Sequence, residues 1–155
     1  MGHGCFAIAA EKAESGWPLS RHSRRRWQGR GRGSFSVKRR LRLRRRSDFQ
    51  SAVSGRRFHS GRALVGFAVP SQAIETRVGV TVSRAVKGSV ARNRARRRLR
   101  EVARAGLLSA DSPLHQVGIR YDVVLIARPA ALEVSFADLK AEAALAAFRL
   151  AKFKP

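Results

Sequence analysis

The pattern of hydrophobic and polar positions first predicts a short amphipathic helix. Ser47 is a favourable N-cap residue for this helix. Phe49, Ala52 and Val53 are spaced so that they fall on one helix face. Gly55 follows directly and is expected to end the helix.

Three stretches have the pattern of β-strands. The first, Phe58 to Pro70, contains Gly61, which allows a break that divides it into two short strands. In the second, Thr76 to Ser83, every other residue is valine, so one face is apolar. The third, Tyr121 to Ala127, has a continuous apolar centre, which is typical of a strand in the middle of a sheet.

Two longer helices are predicted in the second half of the chain. One runs from about Val90 to Ala105 and ends at Gly106, and residues 107–120 after it have the composition of a loop. Its apolar stripe consists of Ala91, Ala95, Leu99, Val102 and Ala103. The last helix begins after a sequence that resembles a capping box at Ser135 and reaches about Lys152. Its apolar face consists of Phe136, Leu139, Ala143, Ala146, Phe148 and Leu150.

The resulting order of elements, αβββαβα, predicts a single α+β domain. Helices are expected to cover one face of the sheet and to leave other surfaces free for a ligand. We expect the domain to span residues 41–155 and residues 1–40 to be a disordered basic N-terminal extension, because arginine and glycine there follow no apolar period. Trp17 and Trp27 would let the extension bind RNA by charge and stacking, and a solvated extension with little role is the alternative.

Charge and composition narrow the classes of partner. The 155 residues include 33 basic and 10 acidic ones, a formal net charge of +23, which attracts nucleic acid or an anionic membrane. The single cysteine excludes an internal disulfide framework and a zinc site built of cysteines. No run of about 18 apolar residues is present, so we expect no membrane-spanning helix and a cytoplasmic protein.

The basic residues are concentrated in two segments. Residues 1–46 hold 14 basic and two acidic residues, and residues 84–104 hold nine basic residues and one acid. On the helix that begins near Val90, arginines gather opposite the apolar stripe, and like charges this close destabilise a helix. Phosphate groups relieve the repulsion, and the forked guanidinium group suits them. This helix face is therefore predicted to bind RNA.

The same helix carries a motif. The segment Arg92-Asn93-Arg94-x-x-Arg97-x-x-Arg100-Glu101 resembles the RNR signature of the bacterial ribonuclease P protein subunit. Three further segments are similar to that family in the right order. Leu43–Val53 resembles its first helix, Arg77–Arg84 the strand before the RNR helix, and Tyr121–Arg128 the last strand. The resemblance covers about residues 41–150.

This resemblance implies a fold and a function. The implied fold is an αβββαβα arrangement with a mixed four-stranded sheet, like domain 2 of ribosomal protein S5, with a left-handed βαβ crossover where the general rule gives a right-handed one. The implied function is that of the RNA-binding subunit of ribonuclease P, an endoribonuclease that removes the 5′ leader from precursor tRNA. The RNA would catalyse the hydrolysis with Mg²⁺ that it mainly holds itself, and this chain would supply no catalytic side chain. The implied partners are one catalytic RNA per protein and precursor tRNA.

The resemblance also implies two sets of site residues. Contacts to the catalytic RNA would come from Arg92, Asn93, Arg94, Arg96, Arg97 and Arg100. A leader-binding cleft between the first helix and the sheet would be lined by Phe49, Phe67, Ser83 and Arg84. Aromatic side chains do stack on splayed bases, although a phenylalanine is more often a core residue. The chain departs from the family's pattern at Val53, where a second aromatic is frequent, and at Lys87, where glycine is usual.

Residues suited to catalysis by the protein itself are sparse. Acidic residues do not cluster, and no two of the four histidines (His3, His22, His59 and His115) have the spacing of metal ligands. His59 could contact RNA, but an isolated histidine in a loop is more often simply exposed, which is what we expect for it.

Two other function classes stay open at this point. One is a ribosomal or double-stranded-RNA-binding protein with a basic tail, although a double-stranded-RNA-binding domain needs only αβββα. The other is a cationic protein of membrane surfaces, for which the narrow, alanine-rich stripe of the basic helix is poorly suited. Stimulation of a catalytic RNA by the protein would separate the first interpretation from both.

Overall fold

The computed structural model describes residues 37–152 of the chain, and four strands within them form one mixed sheet. The strands are β1 (Arg56–Ser60), β2 (Leu64–Pro70), β3 (Arg77–Val82) and β4 (Tyr121–Ala127), arranged in the order β1-β2-β4-β3. β2 pairs antiparallel with both β1 and β4, and β3 pairs parallel with β4. The predicted α+β fold and the central position of the apolar strand β4 are confirmed.

The helices connect and cover this sheet. Within the described residues they are α1 (Arg46–Ser54), α2 (Ser89–Gly106), α3 (Pro113–Val117) and α4 (Phe136–Ala151), with short 3-10 helices at Arg39–Leu41 and Pro129–Leu132. α2 is the crossover between the parallel strands β3 and β4. The left hand of this crossover, which the resemblance implies, stays a prediction.

Helices pack on both faces of the sheet, so the expectation that they cover one face was wrong. Val78 belongs to the core that the sheet forms with α2 and α4. The next residue, Gly79, points to the opposite face, where Phe49 of α1 lies against it. The reason is that the central strand is apolar on both faces: Val124, on the α1 side, is fully buried.

The chain ahead of α1 lies along the free edge of β3. Arg42 forms a parallel bridge with Val78, and the N–H of Leu43 donates to the Val78 carbonyl at 3.3 Å. Val37 is buried. We call residues 37–45 the edge segment. The remainder of the predicted extension, residues 1–36, lies outside the described residues.

Two helix ends differ from their predicted positions. α1 begins at Arg46, and its N-cap is Arg45 rather than Ser47. Arg45 keeps the extended backbone that the edge segment has along β3, so the helix begins directly after it. α2 includes Gly106, and its C-cap is Leu107, a buried residue that keeps the chain on the core.

The predicted loop at residues 107–120 contains a helix of its own. α3 begins with Pro113, which suits the first turn of a helix because its missing N–H has no partner to lose there. Leu114 of α3 is buried in the main core. Five residues are too few to show a helical period, which is why the pattern did not reveal α3.

α4 begins as predicted and buries a narrower face than predicted. The hydroxyl of Ser135 accepts the N–H of Asp138 at 3.0 Å, which confirms the cap. Phe136 and Phe148, which were placed on the apolar face, are 44% and 56% exposed. The reason is that α4 packs on its neighbours through small residues. A Cβ built at Gly106 of α2 would be 3.7 Å from the Cβ of Ala143, so α2 and α4 are in contact through glycine and alanine and not through the phenylalanines.

Candidate nucleic-acid interface

The basic face of α2 is oriented by the opposite face of the same helix. Ala95, Leu99 and Val102 are fully buried, so the side chains across the helix point outward. The turn into α2 requires a positive φ, and Gly88, with φ of +78°, supplies it one residue after Lys87. A lysine at position 87 is therefore compatible with the turn.

Four of the six residues predicted to contact the catalytic RNA share this outward face. Arg94 and Arg97 are exposed, and neither has an ion pair in the described part of the chain. Arg96 donates from Nη1 to Oδ1 of the exposed Asn93 at 3.1 Å. The structure thus brings the amide and three guanidinium groups together on one surface.

Two arginines at the flanks of this face also bind the main chain. Arg92, predicted as an RNA contact, donates from Nε to the Val86 carbonyl at 2.9 Å and holds the loop that enters α2. Arg98, which was not among the predicted contacts, donates from Nη1 and Nη2 to the carbonyls of Leu132 and Val134 at 3.0 and 2.5 Å. Arg98 therefore joins α2 to the segment before α4.

Arg100, the sixth predicted contact, lies where α2 meets the edge segment. Its burial lowers the pKa of its guanidinium group, and the positive charges of Arg42, Arg96 and Arg97 lower this pKa further. Arg100 still carries its charge at neutral pH, because arginine titrates far above that range. Four guanidinium groups are crowded here, and an anion would relieve their repulsion.

A small cavity lies between α1 and the edge strand β3. Phe49 forms one wall of the cavity. A side chain at Gly79 would place its Cβ 2.9 Å from the Phe49 ring, so any residue other than glycine would displace the ring. The cavity has a volume of about 130 Å³. Its other lining residues are Val37, Arg42, Leu43, Val78, Val80 and Arg100. An aromatic ring beside guanidinium groups can hold both the base and the phosphate of a nucleotide.

Phe67 lies in the same layer but outside this cavity. The strand register places Phe67 opposite Val124 and Val124 opposite Gly79. Phe67 is therefore two strands away from Gly79, a separation of about 10 Å. Both predicted aromatic residues are half-buried on the α1 side of the sheet, and the structure does not bring them together.

Ser83 and Arg84 follow the C-terminal end of β3. The Ser83 hydroxyl accepts the N–H of Ala85 at 3.3 Å and so shapes the turn, while Arg84 is exposed. Four residues of extended chain separate Ser83 from Gly79, which is about 13 Å. The predicted cleft residues are therefore spread along β3 and across the sheet and do not surround one cavity.

The ion pairs that hold α1 against the sheet were missed from the sequence. Arg77 donates from Nε and Nη2 to the Asp122 carboxylate at 2.8 and 2.5 Å, and from Nη1 to Asp48 at 2.9 Å. The hydrogen bond to Asp122 is the main cause that raises the pKa of Arg77. Arg77 and Asp122 are register partners in β3 and β4, so only correct strand pairing could have revealed them.

His59 is buried, so the prediction of an exposed loop histidine was wrong. It lies in β1, where α4 covers it: Nε2 is 3.4 Å from Glu142 Oε1, and Nδ1 is 3.3 Å from Arg149 Nη1. Glu142 also accepts the N–H groups of Ala63 and Leu64 at 3.2 and 3.0 Å. Glu142 thus fastens the β1–β2 turn to α4.

Residues 37–152 contain neither a group of metal ligands nor a membrane-spanning helix. No three His, Cys, Asp or Glu side chains in this part of the chain come together as ligands for a metal ion. None of its helices combines the length and the hydropathy needed to cross a bilayer.

Comparison with known proteins gives concordant results. Residues 37–151 match the family described as Ribonuclease P. The ribonuclease P protein component of Acidothermus cellulolyticus is 39% identical over 105 residues, which cover 66% of this chain and 82% of that protein. The same component from Ruegeria pomeroyi is 44% identical over 89 residues, which cover 56% of this chain and 66% of that protein.

A similar fold is found among solved structures. The RNase P protein from Thermotoga maritima, solved in complex with 1-(4-fluorophenyl)-2-thiourea, superimposes with a TM-score of 0.56 at 24% sequence identity. The superposition covers 73% of this chain and 100% of that chain.

Proposed function

The chain belongs to the ribonuclease P protein family, and from this premise we propose which surfaces it uses in the processing of tRNA. Membership makes it an RNA-binding protein component of a tRNA-processing ribonucleoprotein. We propose that it assists a catalytic RNA in the endonucleolytic removal of the 5′ leader from precursor tRNA, with one protein bound per RNA. The observation that carries this proposal is the exposed face of α2.

The α2 face is proposed to dock on the catalytic RNA. Asn93, Arg94, Arg96 and Arg97 lie on it together, and the two arginines most exposed to solvent have no acidic partner in the described part of the chain. A phosphate backbone would replace the repulsion among these guanidinium groups with paired hydrogen bonds and would release counterions. Arg92 and Arg100 flank this face and would extend the contact at its two sides.

The surface along β3 is proposed to take the single-stranded 5′ leader. Phe49 offers a half-buried ring beside the guanidinium group of Arg100, which suits a base that stacks and a phosphate next to it. Ser83 and Arg84 lie further along the same strand, and Phe67 lies across the sheet. The leader would therefore cross more than one contact point.

The Mg²⁺ that the reaction requires is proposed to be held mainly by the RNA. The described residues of this chain contain no group of three His, Cys, Asp or Glu side chains placed to hold a metal ion by themselves. We assign no step of hydrolysis to a side chain of this protein. The proposed contribution of the chain is to bind and orient the two RNAs.

A cleavage assay at low Mg²⁺ tests the proposal. A bacterial ribonuclease P RNA alone, this protein alone, and the two together are each incubated with precursor tRNA. We expect efficient cleavage at the mature 5′ end only in the mixture. A mixture that cuts no better than the RNA alone, with a folded protein that still binds RNA, would instead support a ribosomal or general RNA-binding role.

A further inference from the structure

A second basic surface lies at the start of α1 and is lined by residues that do not belong to the α2 face. It is an open concavity of about 1060 Å³. We call it the arginine basin. Its lining residues are Arg39, Arg40, Arg42, Arg44, Arg45, Asp48 and Arg77.

The charges in the arginine basin are poorly balanced. Asp48 is the acid of its lining, and Arg77 already binds it at 2.9 Å. Arg40 pairs with Glu75 at 3.0 Å, but the two side chains are 67% and 40% exposed, and solvent-exposed pairs are weak. Arg44 and Arg45 are exposed, and no acid of the described residues lies within ion-pair distance of them. The basin is therefore strongly cationic.

The position of these arginines does not serve the stability of α1. Arg45 is the N-cap of α1 and Arg46 its first residue, so their charges lie at the positive end of the helix dipole. Cations are unfavourable there, typically by a few tenths of a kcal/mol or more each. An anionic ligand would offset the repulsion between these charges and the helix dipole, because helix N-termini and guanidinium groups both attract phosphate.

The arginine basin continues the line of proposed leader contacts along β3. Arg77, the first residue of β3, lines the basin, Gly79 lies at the Phe49 cavity, and Ser83 follows the last residue of the strand. These points span about 20 Å. Arg42 lines both the basin and the Phe49 cavity, so the two adjoin directly.

We propose that the arginine basin binds the phosphate backbone of the 5′ leader where the leader extends beyond the Phe49 cavity. This inference rests on the proposed leader site. The basin shares Arg42 with the Phe49 cavity and lies at the start of β3, the strand along which the other proposed leader contacts lie, which favours the leader over the catalytic RNA as the occupant. Contacts from guanidinium groups to phosphate oxygens carry no information about base identity. The contact therefore depends on leader length and not on leader sequence.

A leader-length series tests the proposal in the reconstituted holoenzyme. Precursor tRNAs whose leaders are shortened stepwise from the 5′ end are titrated, and Kd is measured for the wild type and for R44Q/R45Q. The matched control is R62Q/K140Q, which removes two charges from exposed positions in the β1–β2 turn and on α4. We expect R44Q/R45Q to bind long leaders about tenfold more weakly and the shortest leaders as the wild type does. The control should match the wild type at every length.

Two further variants keep the outcomes distinct. R44K/R45K retains the charges and should keep most of the length dependence, which separates charge from folding. Equal weakening by R44Q/R45Q at every leader length would overturn the proposal and assign the basin to the catalytic RNA. F49A could lose the preference for precursor over leaderless tRNA while the Kd of the wild type does not depend on leader length. That result would overturn the role of the basin and leave the Phe49 leader site standing. If, in addition, F49A binds precursor and leaderless tRNA with the same relative affinities as the wild type does, the proposed leader site itself is overturned.

Discussion

Removal of Arg77 is expected to be among the most destabilising single changes outside the apolar core. Its guanidinium group makes two hydrogen bonds to Asp122 and one to Asp48, so it joins β3, β4 and α1. In R77M the Asp122 carboxylate, 9% exposed, loses its counter-ion. Removal of one partner from a fully buried pair costs about 3–5 kcal/mol, and the 29% exposure of Arg77 reduces this to about 2–3 kcal/mol.

Thermal and urea unfolding measure this loss. For a domain of this size about 2–3 kcal/mol corresponds to a Tm lower by about 10–20 °C. The control is R57M, the same substitution at an exposed position of β1, which should change stability by less than about 0.5 kcal/mol.

A double variant separates the buried charge from general loss of packing. R77M/D122L leaves no unpaired charge at the most buried position of this network, whereas Asp48, 22% exposed, loses Arg77 in both variants. The double variant should therefore be more stable than R77M alone. An R77M variant as stable as R57M, or a double variant less stable than R77M, would refute this reasoning.

Three further predictions follow from single contacts. F49A should weaken binding of precursor tRNA more than of leaderless tRNA in the holoenzyme. The control F148A, at an exposed ring on α4, should weaken neither. Equal loss for both substrates in F49A would contradict the leader site. E142A leaves two buried N–H groups without an acceptor and should lower the free energy of unfolding by about 2–4 kcal/mol, against almost no change in the exposed control E133A. G88A must hold a φ of +78° in open space, so urea unfolding should show a loss of about 1 kcal/mol; no loss would mean that the turn relaxes.

Elements that depend on local patterns could be predicted from the sequence. β4, Tyr121–Ala127, has the predicted bounds, because its apolar run and its flanks are local signals. The cap at Ser135 and the buried stripe of α2 were predicted for the same reason. The outward face of α2 then follows from helical geometry, so the arrangement of its arginines could be predicted too.

Features that depend on pairing between distant segments could not be predicted. The edge segment packs beside β3 through a bridge between Arg42 and Val78, and nothing in the local sequence of Arg42 indicates a strand partner. The arginine basin exists only because of this packing. His59 has the sequence context of an exposed residue, and only the position of Glu142 on α4 explains its burial.

If the arginines on the outer face of α2 bind phosphates of the catalytic RNA, as we propose, the affinity must depend on salt through these side chains. Kd for ribonuclease P RNA is measured across salt concentrations for the wild type, for R94Q/R97Q and for the charge-matched control R62Q/K140Q. Each lost phosphate contact reduces the slope of log Kd against log salt by about one, so R94Q/R97Q should lose about two. We expect weaker binding and a shallower slope for R94Q/R97Q alone. The same affinity and slope in R94Q/R97Q as in the control would contradict the proposal.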